Sequence, residues 1–107
     1  MDKKSLEQYQ KEVAELVKQF NFNWSTYVQF IHLVEEVGEL GEALTVKEGD
    51  RQAGSGEKAQ ADHGDNEEEF GDVLFTLMEL ANKYNISLSK MMEDTFKRYQ
   101  NKLHKIK

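Results

Sequence analysis

Apolar residues recur at spacings of three and four along most of the chain, which predicts helices. Leu6, Tyr9, Val13, Leu16, Val17 and Phe20 mark a first helix over about residues 5 to 20. The segment "NFNWS" interrupts that spacing, and Ser25 is a natural N-cap for a second helix reaching about Lys47. Residues 49 to 66, "GDRQAGSGEKAQADHGDN", hold four glycines and no large apolar side chain, the composition of a flexible loop. A third helix is predicted from Glu67 to about Tyr84. A fourth begins near Asn85 or Ser87 and carries Leu88, Met91, Met92, Thr95, Phe96, Tyr99 and Leu103 on one face. The chain therefore reads as an all-α, four-helix bundle forming a single domain over residues 1–107.

Composition narrows the class. Proline and cysteine are absent from the 107 residues, which favours helix, excludes thiolate metal sites and suits a reducing cytoplasm. A 38% hydrophobic fraction supports only a small core, so a homodimer or a dimer of dimers is expected to cover the remaining apolar faces. No apolar run is long enough for a membrane span or signal peptide, and the expected location is cytoplasmic. The net charge of −6 argues against nucleic acid as a partner. An anionic ligand would have to arrive with a counterion.

The acidic residues are not spread evenly. On a helical wheel of the second helix, Phe30, Leu33, Val37, Leu40 and Leu44 define the buried stripe, while Glu36 and Glu39 fall along its margin, one turn beyond His32. Glu35 and Glu42 face away. On the third helix the stripe is Phe70, Val73, Leu74, Leu77, Leu80 and Ala81, with Glu69 at its margin, Asp72 just beyond, and Glu68 pointing outward. Each helix thus offers two carboxylates at i and i+3, which converge on a helix surface. Like charges held partly out of water repel. Four carboxylates without a thiol form a hard-oxygen donor set suited to Mg²⁺ or Mn²⁺. Glutamate-rich faces also occur as plain solvated surface, but the paired placement on two helices favours a metal. Gly38, Gly41 and Gly71 lie beside the acids, which is expected if a backbone or ligand approaches closely there.

These residues carry a resemblance. "EEVGE", Glu35 to Glu39, followed by "EFGD", Glu69 to Asp72, resembles the E-E-x-x-E then E-x-x-D signature of the MazG-like nucleoside triphosphate pyrophosphohydrolases, the all-α NTP pyrophosphatase superfamily. The similarity runs on through "EEEFGDVLFTLMELANKYNISL" and spans about Trp24 to Lys102. It implies a dimerising helical bundle in which Mg²⁺, with Mn²⁺ as the substitute, binds the triphosphate of a nucleoside triphosphate substrate. By position, the metal ligands are Glu36, Glu39, Glu69 and Asp72. Glu35 and Glu36 take the catalytic places, Glu35 as the residue that orients water. Relatives often carry a Lys-aromatic pair and a later Arg in the last helix, where this chain has Arg98, Tyr99 and Lys102, so the two cations are exchanged. The asparagine some relatives place nearby is Phe96 here. Trp24 and His32, with Arg98 and Lys102, are the expected substrate-binding residues.

The expected reaction is hydrolysis to a nucleoside monophosphate and pyrophosphate, in nucleotide-pool house-cleaning. The cation would neutralise and orient the triphosphate and activate water. Two other functions fit the same acids: phosphoribosyl-ATP pyrophosphohydrolase, and a non-catalytic helical interaction module. A di-iron carboxylate bundle requires Glu-x-x-His pairs, and neither "EVGE" nor "EFGD" ends in histidine.

Overall fold

In a computed structural model, residues 3–22, 24–49 and 66–106 are described. They form α1 (Leu6–Gln19), α2 (Thr26–Lys47), α3 (Asn66–Lys83) and α4 (Leu88–Ile106), with no strand among them. The expected loop at 49–66 falls almost wholly outside the described residues.

Local chemistry sets the helix ends. Ser5 Oγ accepts from the Gln8 N–H at 3.1 Å while Gln8 Oε1 accepts from the Ser5 N–H at 2.6 Å, a reciprocal capping box that starts α1. Ser25 Oγ accepts from the Val28 N–H at 3.2 Å and starts α2 as expected. Asn21 and Asn85 occupy the left-handed region, with φ of 57° and 56°. Each lets the chain turn back on its helix end. The Phe22 N–H reaches Val17 O and the Ile86 N–H reaches Ala81 O, both at 3.0 Å, which satisfies carbonyls otherwise orphaned at the ends of α1 and α3.

The α2 and α3 helices form the principal contact and run antiparallel, α1 packs on α3, and α4 lies on α1. A polar clamp ties these layers together. The buried Gln10 of α1 donates through Nε2 to Asn82 Oδ1 at 3.0 Å and to Ile86 O, and accepts from the Leu88 N–H through Oε1 at 3.0 Å. It therefore closes the α3–α4 turn as well as joining α1 to α3.

The interior is rotated from the arc that the hydrophobic pattern centres on. Ala43 and Gln29 are the buried residues of α2, whereas Phe30 and Val37 are 49% and 50% exposed. On α3 the buried set is Glu69, Thr76, Met78, Glu79 and Ala81, while Phe70, Leu74 and Leu77 stand out. No residue of α4 is buried, including the face built on Met92, Phe96 and Tyr99. The wheel finds the most apolar arc of each helix. In this chain α2 and α3 meet along a more polar arc, and the apolar arcs are only partly covered: Ala81 is buried and Leu33, Leu40, Leu44, Val73 and Leu80 half-buried, while the aromatic members stand outside.

Candidate active site

The polar arc is where the acidic residues converge. Glu36 on α2 and Glu69 and Asp72 on α3 each bring one carboxylate oxygen to within 4.8 Å of the others. Glu69 is buried, Glu36 half-buried and Asp72 exposed, so the group grades from interior to solvent. Burial raises the Glu36 carboxyl above its ordinary value. Glu39, Asp72 and Glu69 add to the rise through like charge, and His32 opposes it. A cation would relieve both burial and repulsion. The donor set, all carboxylate oxygen with two antiparallel helices as support, fits a hard divalent ion such as Mg²⁺ or Mn²⁺.

Glu39 stands half-buried outside the group of three, and it acts on Glu36 through charge. Glu35 is exposed. His32 Nε2 lies 3.4 Å from Glu36 Oε1, one helical turn away, and Trp24 meets the His32 ring edge-on at 5.1 Å between centroids. His32 Nδ1 is buried and meets no partner.

These groups open onto a cleft of about 380 Å³. Glu36 and Asp72 form its acidic end, Phe22, Trp24 and Phe75 supply aromatic walls, and Glu79 lies farther along α3 beside Thr76 and His32. Trp24 and His32 thus reach the site as expected. Arg98 and Lys102 do not line the cleft. They are exposed on α4, where the Arg98 guanidinium sits 5.6 Å from the Tyr99 ring centroid. No backbone of the described residues approaches Gly38, Gly41 or Gly71 closely, since a Cβ at any of them would meet nothing within 4 Å. All three face open space because they lie away from the arc where α2 meets α3.

Sequence reasoning passed over Phe75, Thr76 and Glu79. The signal was available: Glu79 follows Asp72 by seven residues, two turns on the same face. It went unused because the apolar stripe of α3 drew the wheel to the opposite arc.

A helical pair that gathers three carboxylates at one end of an aromatic-walled cleft defines a carboxylate site of the kind that holds a divalent cation against an anionic ligand. The comparisons name the family: residues 25–106 match the MazG nucleotide pyrophosphohydrolase domain, and the chain belongs to that family. Protein YpjD of Bacillus subtilis (strain 168), itself uncharacterized, is 36% identical over 91 residues, covering 84% of this chain and 78% of YpjD. The crystal structure of B. subtilis YpjD, described there as a candidate pyrophosphatase, superposes with a TM-score of 0.76 at 30% identity over 92% of this chain and 96% of that one. A Bacillus-conserved MazG protein, a nucleotide pyrophosphohydrolase, gives a TM-score of 0.72 at 30% identity, covering 92% and 93%.

Proposed function

We propose that this chain is a divalent-metal-dependent hydrolase of nucleoside or deoxynucleoside triphosphates, releasing a nucleoside monophosphate and pyrophosphate in nucleotide-pool house-cleaning. The observation that carries the reading is the meeting of Glu36, Glu69 and Asp72 within 4.8 Å at the mouth of an aromatic cleft. Glu36, Glu69 and Asp72 hold Mg²⁺, or Mn²⁺ in its place, with Glu39 joining them. The bound ion supplies charge neutralisation for the triphosphate and activation of water. Glu35, at the solvent edge, orients the attacking water. Trp24 packs against the base and His32 holds the Glu36 carboxylate in place. The acidic end repels a bare nucleotide, so triphosphate and cation bind together.

The active form is a homodimer or a dimer of dimers of single-domain chains. Support comes from the exposed apolar arcs of α2, α3 and α4, which include Phe30, Phe70 and Phe96. Arg98 and Lys102 contact phosphate in that assembly. Among the described residues no helix is long and apolar enough to cross a membrane, which agrees with a cytoplasmic enzyme.

The test is pyrophosphate release from a panel of nucleoside triphosphates and phosphoribosyl-ATP, with Mg²⁺ or with EDTA, by wild type, Glu39→Gln and Asp72→Asn. The expected result is release from nucleoside triphosphates that requires metal and is lost in both variants. Absence of release from every nucleotide by a folded protein would overturn the reading and favour an interaction module.

A further inference from the structure

Glu79 is an acid that the metal does not use. It is 9% exposed, in the middle of a packed helix face, and it nevertheless lines the cleft. A carboxylate in such a place is costly, and a valine or leucine would pack there without desolvating a charge. Burial raises its carboxyl above the ordinary value; Gln29, His32 and Lys83 pull the other way. Gln29, only 2% exposed, sits beside Glu79 on α2 outside the cleft lining; its Nε2 has no partner at full hydrogen-bond distance, so its pull on the Glu79 carboxyl is that of a long hydrogen bond. A buried carboxylate thus borders the cleft, and a carboxylate has more acceptor positions than one neighbouring amide can fill, so a ligand entering the cleft can donate to it.

Position says what the ligand presents. Glu79 lies seven residues beyond Asp72 on α3, about 10 Å along the axis. That distance is comparable to the reach of a nucleoside from its 5′ oxygen to the far edge of its base. With the triphosphate at the acidic end and the ring between Phe22, Trp24 and Phe75, the base edge arrives at Glu79. A carboxylate only accepts hydrogen bonds, so it selects a base edge that donates. Guanine alone among the common bases places two donors side by side, the ring N1–H and the 2-amino group, matching the two oxygens of one carboxylate. Cytosine and adenine offer one amino group next to an acceptor nitrogen. Uracil and thymine flank one N–H with two carbonyls, which a carboxylate repels.

Resting on the proposed nucleotide hydrolysis, we infer that Glu79 is the base-reading residue of this site and that the preferred substrate is a guanine nucleoside triphosphate. The experiment measures kcat/KM for dGTP, dITP, dATP, dCTP and dTTP with Mg²⁺, in wild type and Glu79→Gln. Inosine retains the N1–H and lacks the 2-amino group, so the wild-type comparison of dGTP with dITP counts the second hydrogen bond without any mutation. The expected result is about a tenfold or greater preference for dGTP over both dITP and dTTP, collapsing to within about threefold in Glu79→Gln. Hydrolysis at similar rates for all five, or a guanine preference that survives in Glu79→Gln, would overturn the inference and leave the hydrolase standing. No hydrolysis of any nucleotide would overturn the hydrolase itself, and this inference with it.

Discussion

Gln10 and Asn82 hold each other from both sides, the Gln10 amide donating to Asn82 Oδ1 at 3.0 Å and the Asn82 amide donating to Gln10 O at 3.1 Å. Both sit where α1, α3 and the start of α4 meet, and Gln10 is buried. Replacing Gln10 by alanine strands the Leu88 N–H, Ile86 O and Asn82 Oδ1 together. Gln10→Ala is expected to lower stability by about 2–4 kcal/mol, read as a shift in urea midpoint at unchanged slope. A change under about 0.5 kcal/mol would mean that water replaces the clamp without loss.

The acids proposed to hold the metal are expected to have opposite effects on stability and activity. Glu36 carries the burden of burial and of three like charges. In EDTA, Glu36→Gln is therefore expected to melt at or above wild type. With Mg²⁺ the order reverses, because wild type gains from binding and the variant does not. Its kcat/KM is expected to fall about a hundredfold or more. Calorimetric melting of both proteins in both buffers checks this. A Glu36→Gln protein that keeps the full metal-induced rise in Tm would remove Glu36 from the ligand set.

Glu79 predicts a pH dependence of known sign. Its folded carboxyl lies above the ordinary value, so the folded chain binds that proton more tightly than the unfolded chain does. The stability it contributes is complete below the ordinary carboxylate range and is lost as pH rises from there through the folded value. Glu79→Gln lacks that loss. As pH rises above the ordinary carboxylate range wild type is expected to give up stability relative to the variant, and at neutral pH the variant unfolds at equal or higher urea. Parallel curves for the two proteins would show that the group titrates alike in both states.

The outward apolar arcs predict association. Phe70 is 56% exposed on α3, and Phe96 is similarly exposed on α4. Phe70→Glu or Phe96→Glu is expected to reduce the sedimenting mass of the protein to that of one chain while leaving the helical circular dichroism in place. Wild type sedimenting as a monomer at micromolar concentration would sink the prediction.

The helices were legible because their signals are local. Ser25, the break at "NFNWS" and the three-and-four spacing act within a few residues, and the resulting ends agree with expectation to within a residue or two for α1 through α3. The meeting of Glu36, Glu69 and Asp72 was also legible, since i, i+3 pairs on neighbouring helices leave few arrangements. The direction of burial was not. A wheel knows which arc is apolar and nothing about which neighbour the helix will meet, so Phe30 and Phe70 were assigned inward while Gln29 and Glu79 occupied that place. The Gln10 clamp was hidden for a related reason: its partners lie more than seventy residues away, and a lone glutamine among α1 polar residues carries no local mark.

Because Asp72 and Glu79 ride on one unbroken helix, α3 works as a ruler with the hydrolytic end and the reading end at fixed marks. A single-residue deletion between them would turn one mark about 100° away from the other and shorten the interval by about 1.5 Å. Substitution at 79 leaves the ruler intact. Selectivity in this scaffold is thus free to drift by point change, whereas insertion or deletion within that stretch would disconnect recognition from hydrolysis at a stroke.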